Sequence, residues 1–339
     1  MICKDLHTAL MPLLARYDQD QVVVVYDKAL TAHSINGLTS HSAAVLPLFV
    51  SETTKSLETV SHIWDFLFEH GITRRGLVVC IGGGVMTDIG GFAAATYKRG
   101  IDYINIPTTL LAMIDASSGG KTGVNYRGLK NSIGAFAEPV ATLIWQGWLY
   151  TLPVNELLSG FGEMLKTGLL SLPLWNRLLS YDLNKMDIEA LTPLIEECVA
   201  VKERIVAADP KEEGLRKVLN FGHTFGHALE EVQMVHGKLL HGYAVLYGMI
   251  AELYLSVTKL GCPKELLQQM TQLMLHYYGR PNCKCSDREQ MIALMQKDKK
   301  NEHAAEINCT LLREVGTPEI NQLISSAEAD EAWEYLFAL

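Results

Sequence analysis

Several side chains that could bind a divalent metal ion lie close together between Leu219 and Gly242, in the segment LNFGHTFGHALEEVQMVHGKLLHG. His223 and His227 are four residues apart and Asn220 precedes His223 by three, so on a helix their side chains would share one face. His241 follows after a glycine-containing connection. The spacing alone is equally compatible with helix histidines that only donate and accept hydrogen bonds.

A carboxylate that could join these histidines lies upstream, at Glu163 in SGFGEMLKTGLL, where Lys166 would share its helical face. Two imidazoles and a carboxylate with an open fourth position form a catalytic zinc site, whereas structural zinc sites are closed and rich in cysteine. A zincin protease is disfavoured, because Thr224 stands where an HExxH helix carries its glutamate base.

The composition predicts a globular protein that binds neither nucleic acid nor membranes. The 339 residues, 48% of them hydrophobic and 20% charged, suffice for two domains. A formal net charge of −9 opposes binding to nucleic acid or to anionic membranes. An anionic ligand would therefore need a local cluster of cationic side chains.

The same sequence predicts a cytoplasmic location. Seven cysteines, an odd number spread along the chain, do not suggest a disulfide framework. The first residues, MICKDLHTALMPLLARYDQD, do not resemble a signal peptide, and no apolar run is long enough for a transmembrane helix.

Strands and helices alternate in the first half of the chain, which predicts a parallel sheet with helices on its faces. The predicted elements are helices at 4–17 and Thr59–Glu69 and strands at Gln21–Tyr26, Gly76–Ile81 and Tyr103–Ile106.

Beyond about Thr151 the pattern becomes mainly α-helical, and the boundary is predicted as a tight hinge near Leu149 to Pro153. The predicted helices of this half are Glu156–Leu170, Ile188–Ala207, Phe221–Val232, Ala244–Lys259 and Lys264–Tyr278.

A strand, a glycine turn and a helix follow one another at LVVCI, Gly82–Gly84 and VMTDIGGFAAATY. Glycines let backbone N–H groups approach an anion, and a helix N-terminus favours a pyrophosphate. The spacing departs from the dinucleotide fingerprint GxGxxG, so a purely structural glycine turn stays open as an alternative.

The next segment, IPTTLLAMIDASSGGKTGVNYRGLKNSIGAF, is predicted as loops that carry functional side chains. A P-loop is excluded, because GxxxxGK[ST] would require a glycine where Asp115 stands. The cations Lys121, Lys130, Lys166, Arg216 and Lys300 are dispersed in sequence and become meaningful only if they share a site.

Seven ordered blocks together resemble the 3-dehydroquinate synthase family of the sugar-phosphate cyclase superfamily, which is related to glycerol dehydrogenases. They are GGGVMTDIGGFAAATYKRG, IPTTLLAMIDASSGGKTGVN, LKNSIGAF, GEMLKTGL, RKVLNFGHTFGHALE, LHGYAVLYGM and KDKKN, covering roughly residues 77–301. The resemblance implies an α/β Rossmann-like parallel-sheet domain that binds NAD at 1–150, and a mainly α-helical, metal- and substrate-binding domain at 151–339. It also implies an active site in the cleft between these domains, and a homodimer.

The resemblance also assigns roles to individual residues. Glu163, His223 and His241 match ligands of Zn²⁺ or Co²⁺, and His227 matches a group that contacts substrate or transfers protons. Matches to substrate-contacting residues are Arg99, Asp115, Lys121, Asn131, Lys166, Arg216, Asn220, His227 and Lys300. Matches to NAD-binding residues are Asp27, Glu52, Lys55, Gly82, Gly83, Gly84, Asp88, Thr108, Thr109, Lys130 and Thr151.

The implied activity is that of a carbon–oxygen lyase of the shikimate pathway of aromatic amino acid biosynthesis. It converts 3-deoxy-D-arabino-heptulosonate 7-phosphate to 3-dehydroquinate and phosphate. NAD takes hydride from C5, phosphate leaves by β-elimination as the C6 proton is lost, hydride returns, and an intramolecular aldol step closes the ring.

Two positions depart from the family pattern. Val50 and Ser51 replace the residues that usually precede the position of Glu52, and Tyr243 stands where a glutamate commonly follows the third metal ligand. The alternatives are another sugar-phosphate cyclase, such as an inosose or valiolone synthase, an alcohol dehydrogenase of the glycerol-dehydrogenase type, and a non-catalytic binding protein.

Overall fold

The chain forms two compact units, Met1–Leu152 and Pro153–Leu339. The computed structural model describes residues 1–30, 35, 37–127, 129–233, 239–297 and 306–339. Within these ranges, no helix is both long enough and apolar enough to cross a membrane.

The first unit is built on a five-stranded parallel sheet, whose strands are β1 (Val22–Asp27), β2 (Ala44–Leu48), β3 (Leu77–Gly82), β4 (Asp102–Pro107) and β7 (Ala141–Thr142). They lie in the order β2-β1-β3-β4-β7. The chain runs outward from β1 to β2, then returns to β3 on the other side, so the direction of winding reverses between β1 and β3. This confirms the predicted α/β class and places a topological switch point, where doubly wound sheets bind ligands, between those two strands.

Helices α1 (Leu6–Leu14), α2 (Leu57–Glu69) and α3 (Gly84–Thr96) accompany the sheet. The third is mostly buried because its small residues let it approach the sheet closely. At Gly90, an added Cβ would lie 2.4 Å from the Cys80 sulfur on β3. This close packing fixes the turn that joins β3 to α3.

The segment predicted as functional loops contains an antiparallel hairpin, formed by β5 (Lys121–Tyr126) and β6 (Leu129–Phe136). Its glycines and polar residues resemble loop sequence but serve strand pairing: an added Cβ at Gly134 would lie 2.2 Å from the carbonyl oxygen of Thr122. The loop prediction was therefore wrong over both strands. A short π-helix (Ala112–Ala116) precedes the hairpin.

The second unit is mainly α-helical, as predicted. Its helices are α4 (Val154–Leu169), α5 (Leu172–Leu179), α6 (Ile188–Ala208), α7 (His223–Gln233), α8 (His241–Leu260), α9 (Lys264–Tyr277), α10 (Arg288–Gln296) and α11 (Ser326–Ala338).

One antiparallel hairpin in this unit, β8 (Ile307–Glu314) with β9 (Thr317–Ile324), was not predicted. The first of its strands is buried against α8, where the Leu312 N–H donates to Ser256 Oγ at 2.9 Å.

Candidate metal centre and active site

Small residues bring three helices of the second unit unusually close together. An added Cβ at Gly242, at the start of α8, would lie 1.7 Å from the Ser159 carbonyl oxygen on α4. One at Gly248 would lie 2.0 Å from the Gly222 carbonyl oxygen, immediately before α7. Any larger side chain there would separate the helices. The glycines thus position the polar residues of α4, α7 and α8 near a common point.

At that point the carboxylate predicted as a metal ligand faces both predicted imidazoles. Glu163 Oε1 lies 3.4 Å from His241 Nε2 and 3.6 Å from His223 Nε2. Two ligands at about 2.0 to 2.2 Å from a tetrahedral zinc ion are separated by about 3.3 to 3.6 Å. The separations therefore fit one divalent ion held by one oxygen and two nitrogens.

The outer nitrogen of each imidazole has its own hydrogen-bond partner. His223 Nδ1 lies 3.2 Å from the carbonyl oxygen of Phe221, and His241 Nδ1 lies 3.3 Å from Oε2 of the buried Glu230. An acceptor at Nδ1 favours the tautomer whose Nε2 lone pair is available to a metal. Both Nε2 atoms accordingly face Glu163.

Glu230 was missed by the sequence analysis. It follows His223 by seven residues and His227 by three, a spacing that places the three side chains on one helical face. That spacing is the signal that could have found it.

The electrostatic environment of the cluster favours a cation. Burial lowers the pKa of His241, but the carboxylates of Glu230 and Glu163 outweigh it and raise the pKa to about 10. Lys166 Nζ lies 2.6 Å from Glu163 Oε2, with both side chains almost fully buried. Buried negative charge is therefore concentrated around His241, where it holds a proton on the imidazole; a divalent ion would replace that proton and leave Nε2 as a neutral nitrogen ligand beside the Glu163 carboxylate.

His227 also lies in the cluster, since nitrogen atoms of His223, His227 and His241 lie within 4.8 Å of one another. The ring centroids of His227 and His223 are 5.1 Å apart in an edge-on arrangement. Two ligand sets are therefore geometrically open: Glu163 with two histidines, and a set that also includes His227.

Asn220 does not lie on the helix of His223 and His227, contrary to the sequence prediction. It ends a 3₁₀ helix, Leu215–Asn220, and α7 begins only at His223. Gly222, with φ +80°, lies between the two helices and separates them, and its N–H donates to the carboxylate of the buried Glu252 at 2.6 Å. This positive φ suits glycine and ends the first helix before the helix that carries His223 and His227 begins.

The residues predicted to contact substrate in this region are held by the preceding loop. The Asn220 amide donates to Glu212 Oε1 at 2.9 Å, and the buried Arg216 donates to the carbonyl oxygen of Pro210 at 2.7 Å. Asp209 accepts the backbone N–H of Arg216 at 3.0 Å and organises this loop. Lys300, also predicted to contact substrate, lies outside the described residues.

In the first unit, predicted NAD-binding residues follow the carboxyl ends of the parallel strands. Asp27 ends β1, Gly82 ends β3, and Thr108 follows β4 with its N–H donating to the Gly82 carbonyl oxygen at 2.9 Å. Asp27 and Gly82 thus flank the switch point, where a ligand is expected in this type of sheet. Burial raises the pKa of Asp27, while the N–H of Ala29 opposes the shift.

Close packing requires glycine in this turn, and the turn also leaves room for an anion. An added Cβ at Gly82 would lie 2.6 Å from Met86 Cβ, and one at Gly84 would lie 2.9 Å from Ala116 Cβ. At Gly83 the nearest atom would be 3.2 Å away, on Thr109. The structural role and the phosphate-binding role of this turn are therefore compatible.

The buried Lys55 lies at the centre of a partly buried polar network. Its Nζ lies 2.5 Å from Asp88 Oδ2 and 2.5 Å from Asn131 Oδ1. Asn125 continues the network, accepting the N–H of Asn131 at 2.8 Å and donating to Glu52 Oε1 at 2.7 Å. Burial raises the pKa of Asp88, and Lys55 opposes that shift. These predicted cofactor and substrate residues are thus linked to one another and fix the hairpin to the rest of the unit.

The remaining predicted residues of the first unit are more dispersed. Asp115 lies in the π-helix, a distortion frequently found at functional sites, and Lys130 is half-buried on β6. Arg99, Lys121 and Thr151 are exposed.

Sequence comparisons match the chain to two family profiles. Residues 45–159 match the profile of the 3-dehydroquinate synthase N-terminal domain, and residues 160–301 match the profile of the C-terminal domain. The chain is 40% identical to a 3-dehydroquinate synthase of Parabacteroides distasonis, over 99% of this chain and 96% of that protein. It is 44% identical to a 3-dehydroquinate synthase of Streptococcus pyogenes serotype M18, over 66% of this chain and 62% of that protein.

Two solved structures share the fold. The 2-epi-5-epi-valiolone synthase of Streptomyces hygroscopicus, solved with NAD⁺ and Zn²⁺, superposes with a TM-score of 0.85 at 28% identity, covering 99% of this chain and 95% of that one. A 2-deoxy-scyllo-inosose synthase complexed with carbaglucose-6-phosphate, NAD⁺ and Co²⁺ gives 0.83 at 21% identity, covering 97% and 94%. The latter supports the fold alone.

Proposed function

The chain belongs to the 3-dehydroquinate synthase family, and we propose that it converts 3-deoxy-D-arabino-heptulosonate 7-phosphate to 3-dehydroquinate and phosphate. The observation that carries the proposal is the approach of Glu163 Oε1 to Nε2 of both His223 and His241, at metal-ligand separations, in a chain that aligns with the family over nearly its whole length.

Glu163, His223 and His241 would hold a zinc or cobalt ion, and the switch point beside Asp27 and Gly82 would hold NAD. The structural neighbour with 28% identity was solved with NAD⁺ and Zn²⁺, which supports both cofactors. A bound divalent ion acidifies a substrate hydroxyl, and NAD accepts and then returns one hydride, so that the oxidation is transient.

The polypeptide would contribute charge, orientation and proton transfer. The substrate carries a carboxylate and a phosphate, and cationic side chains in a water-poor site bind such groups far more strongly than they do in water. Lys166 and Arg216 are each 2% exposed, so both would present a positive charge in surroundings that contain little water. Asn220, oriented by Glu212, would hold a substrate hydroxyl, and His227 would transfer a proton.

The residues of the first unit would act on the cofactor and its neighbourhood. Lys55, Asp88 and Asn131 form one hydrogen-bonded cluster around the buried Lys55, so cofactor binding and the position of the hairpin would depend on one another. The homodimer and the cytoplasmic location stay predictions from the sequence.

The decisive test is product analysis with the purified protein, the heptulosonate phosphate, NAD and zinc. We expect phosphate and 3-dehydroquinate in equal amounts and no net formation of NADH. Net NADH from glycerol would instead identify an alcohol dehydrogenase. Turnover only of a sugar phosphate that lacks the carboxylate would identify a sister cyclase. A Glu163→Ala variant should be inactive in the same assay.

A further inference from the structure

We propose that Glu230 is a positioning residue of the metal centre, whose carboxylate holds His241 in the orientation and tautomer that direct Nε2 toward Glu163. The inference rests on the proposed function, since it concerns the metal site that this function requires.

The geometry places Glu230 on the side of the imidazole opposite to Glu163. Oε2 of Glu230 lies 3.3 Å from His241 Nδ1, while Glu163 Oε1 lies 3.4 Å from His241 Nε2. A neutral imidazole carries one N–H, and an acceptor at Nδ1 draws that hydrogen away from Nε2. The Nε2 lone pair then remains available for coordination.

Burial strengthens the hydrogen bond between Glu230 and His241. The side chains of Glu230 and His241 are 8% and 29% exposed, so water competes weakly for the hydrogen bond. Glu230 projects from α7 and His241 begins α8, so the contact also joins the two helices that carry the histidines.

The two histidines are oriented by different kinds of acceptor. His223 uses the Phe221 carbonyl oxygen, a backbone atom that no substitution removes, whereas His241 uses the side chain of Glu230. A carboxylate also increases the basicity of the imidazole more than a neutral carbonyl does. Loss of Glu230 should therefore weaken the ligand at His241 and leave His223 in place.

Position 243 on α8, where a glutamate commonly follows the third metal ligand, is a tyrosine in this chain and offers no carboxylate to His241. The Tyr243 ring packs edge-on against Tyr278, with ring centroids 4.9 Å apart, and burial raises the pKa of its hydroxyl. The carboxylate on His241 comes instead from α7. Metal binding in this chain would therefore depend on Glu230, a residue that does not lie on the helix of His241.

The test measures zinc affinity by competition with a chelator, together with the visible spectrum of the cobalt-substituted protein. Glu230→Ala should weaken zinc binding about 10- to 100-fold and alter the cobalt spectrum. Glu230→Gln should give a smaller loss, because its amide oxygen still accepts a hydrogen bond, though about half as strong. Glu231→Gln is the matched control, because Glu231 is exposed on the same helix and should bind zinc like the wild type.

Excess zinc separates positioning from folding. We expect saturating zinc to restore most of the turnover of Glu230→Gln, because the variant still folds and only binds its metal more weakly. Unchanged zinc affinity and an unchanged cobalt spectrum in Glu230→Gln, while His241→Ala loses zinc, would overturn the inference and leave the metal site intact. If the wild type bound no zinc, or bound it unchanged after Glu163→Ala and His223→Ala, the proposed function itself would fail. Should Glu230→Ala not fold, Glu230→Gln decides the question alone.

Discussion

The buried ion pair of Glu163 and Lys166 allows a double-mutant test that separates charge pairing from metal binding. The two side chains are 1% and 2% exposed, and Nζ lies 2.6 Å from Oε2. In Glu163→Gln, the ammonium faces a neutral amide in a site with little water. Breaking a buried pair by removing one partner costs about 3 to 5 kcal/mol, and no discount for solvent screening applies at this exposure.

The expected effect is measurable in the metal-free protein. For a unit the size of Pro153–Leu339, each kcal/mol changes the Tm by about 2 to 4 °C, so Glu163→Gln should lower the Tm of this unit by about 6 to 20 °C. The double variant Glu163→Gln with Lys166→Met should regain part of this loss, because no unpaired charge is then left buried. The assay is calorimetry in the presence of a chelator.

A surface pair in the same unit provides the control. Arg177 and Glu197 are 46% and 39% exposed, so Glu197→Gln should cost only about 0 to 1 kcal/mol. Zinc binding then separates the roles: Lys166→Met should retain zinc, and every variant that lacks the Glu163 carboxylate should bind it weakly. Additive Tm changes in the double variant would refute the reasoning about the pair.

Three further changes test other parts of the site. His227→Ala should slow turnover while zinc content stays near normal; zinc loss, read by atomic absorption, would show instead that His227 is a ligand. Gly242→Ala would place a methyl group against the Ser159 carbonyl oxygen, 1.7 Å away in the unrelaxed structure, so it should destabilise the protein by about 1 to 3 kcal/mol and weaken zinc binding, checked by denaturant unfolding and chelator competition. Asp209, whose pKa is lowered chiefly by its hydrogen bonds from the N–H groups of Arg216 and Gly214, stabilises the loop at neutral pH. Asp209→Asn should therefore be less stable than the wild type at pH 7, and the difference should shrink as the pH falls below about 4 and through the lowered pKa; a constant difference in pH-dependent unfolding would contradict this.

The sequence predicted elements whose patterns are local, such as β1, β3 and the longer helices, but not strand β2 or helices α5, α10 and α11. The buried strands around Val24 and Val79 were identified as short continuous apolar runs, and the helix that carries Glu163 was identified from its apolar periodicity. The β5–β6 hairpin could not, because close backbone pairing at Gly123 and Gly134 requires glycines that otherwise indicate loops.

The site residues were predicted less evenly. Family resemblance suggested Glu163, His223 and His241, which the structure brings together, but the helical spacing misplaced Asn220. The break there depends on the buried Glu252, thirty residues further along the chain, and the acceptor for His241 lies on another helix. Such contacts depend on tertiary packing, which periodicity in a single sequence does not encode.

The most direct test of the central claim is anomalous diffraction at the zinc edge from crystals of the zinc-loaded protein. We expect one strong peak at about 2.0 to 2.2 Å from Glu163 Oε1, His223 Nε2 and His241 Nε2. A peak coordinated without Glu163, or located away from these three atoms, would contradict the account.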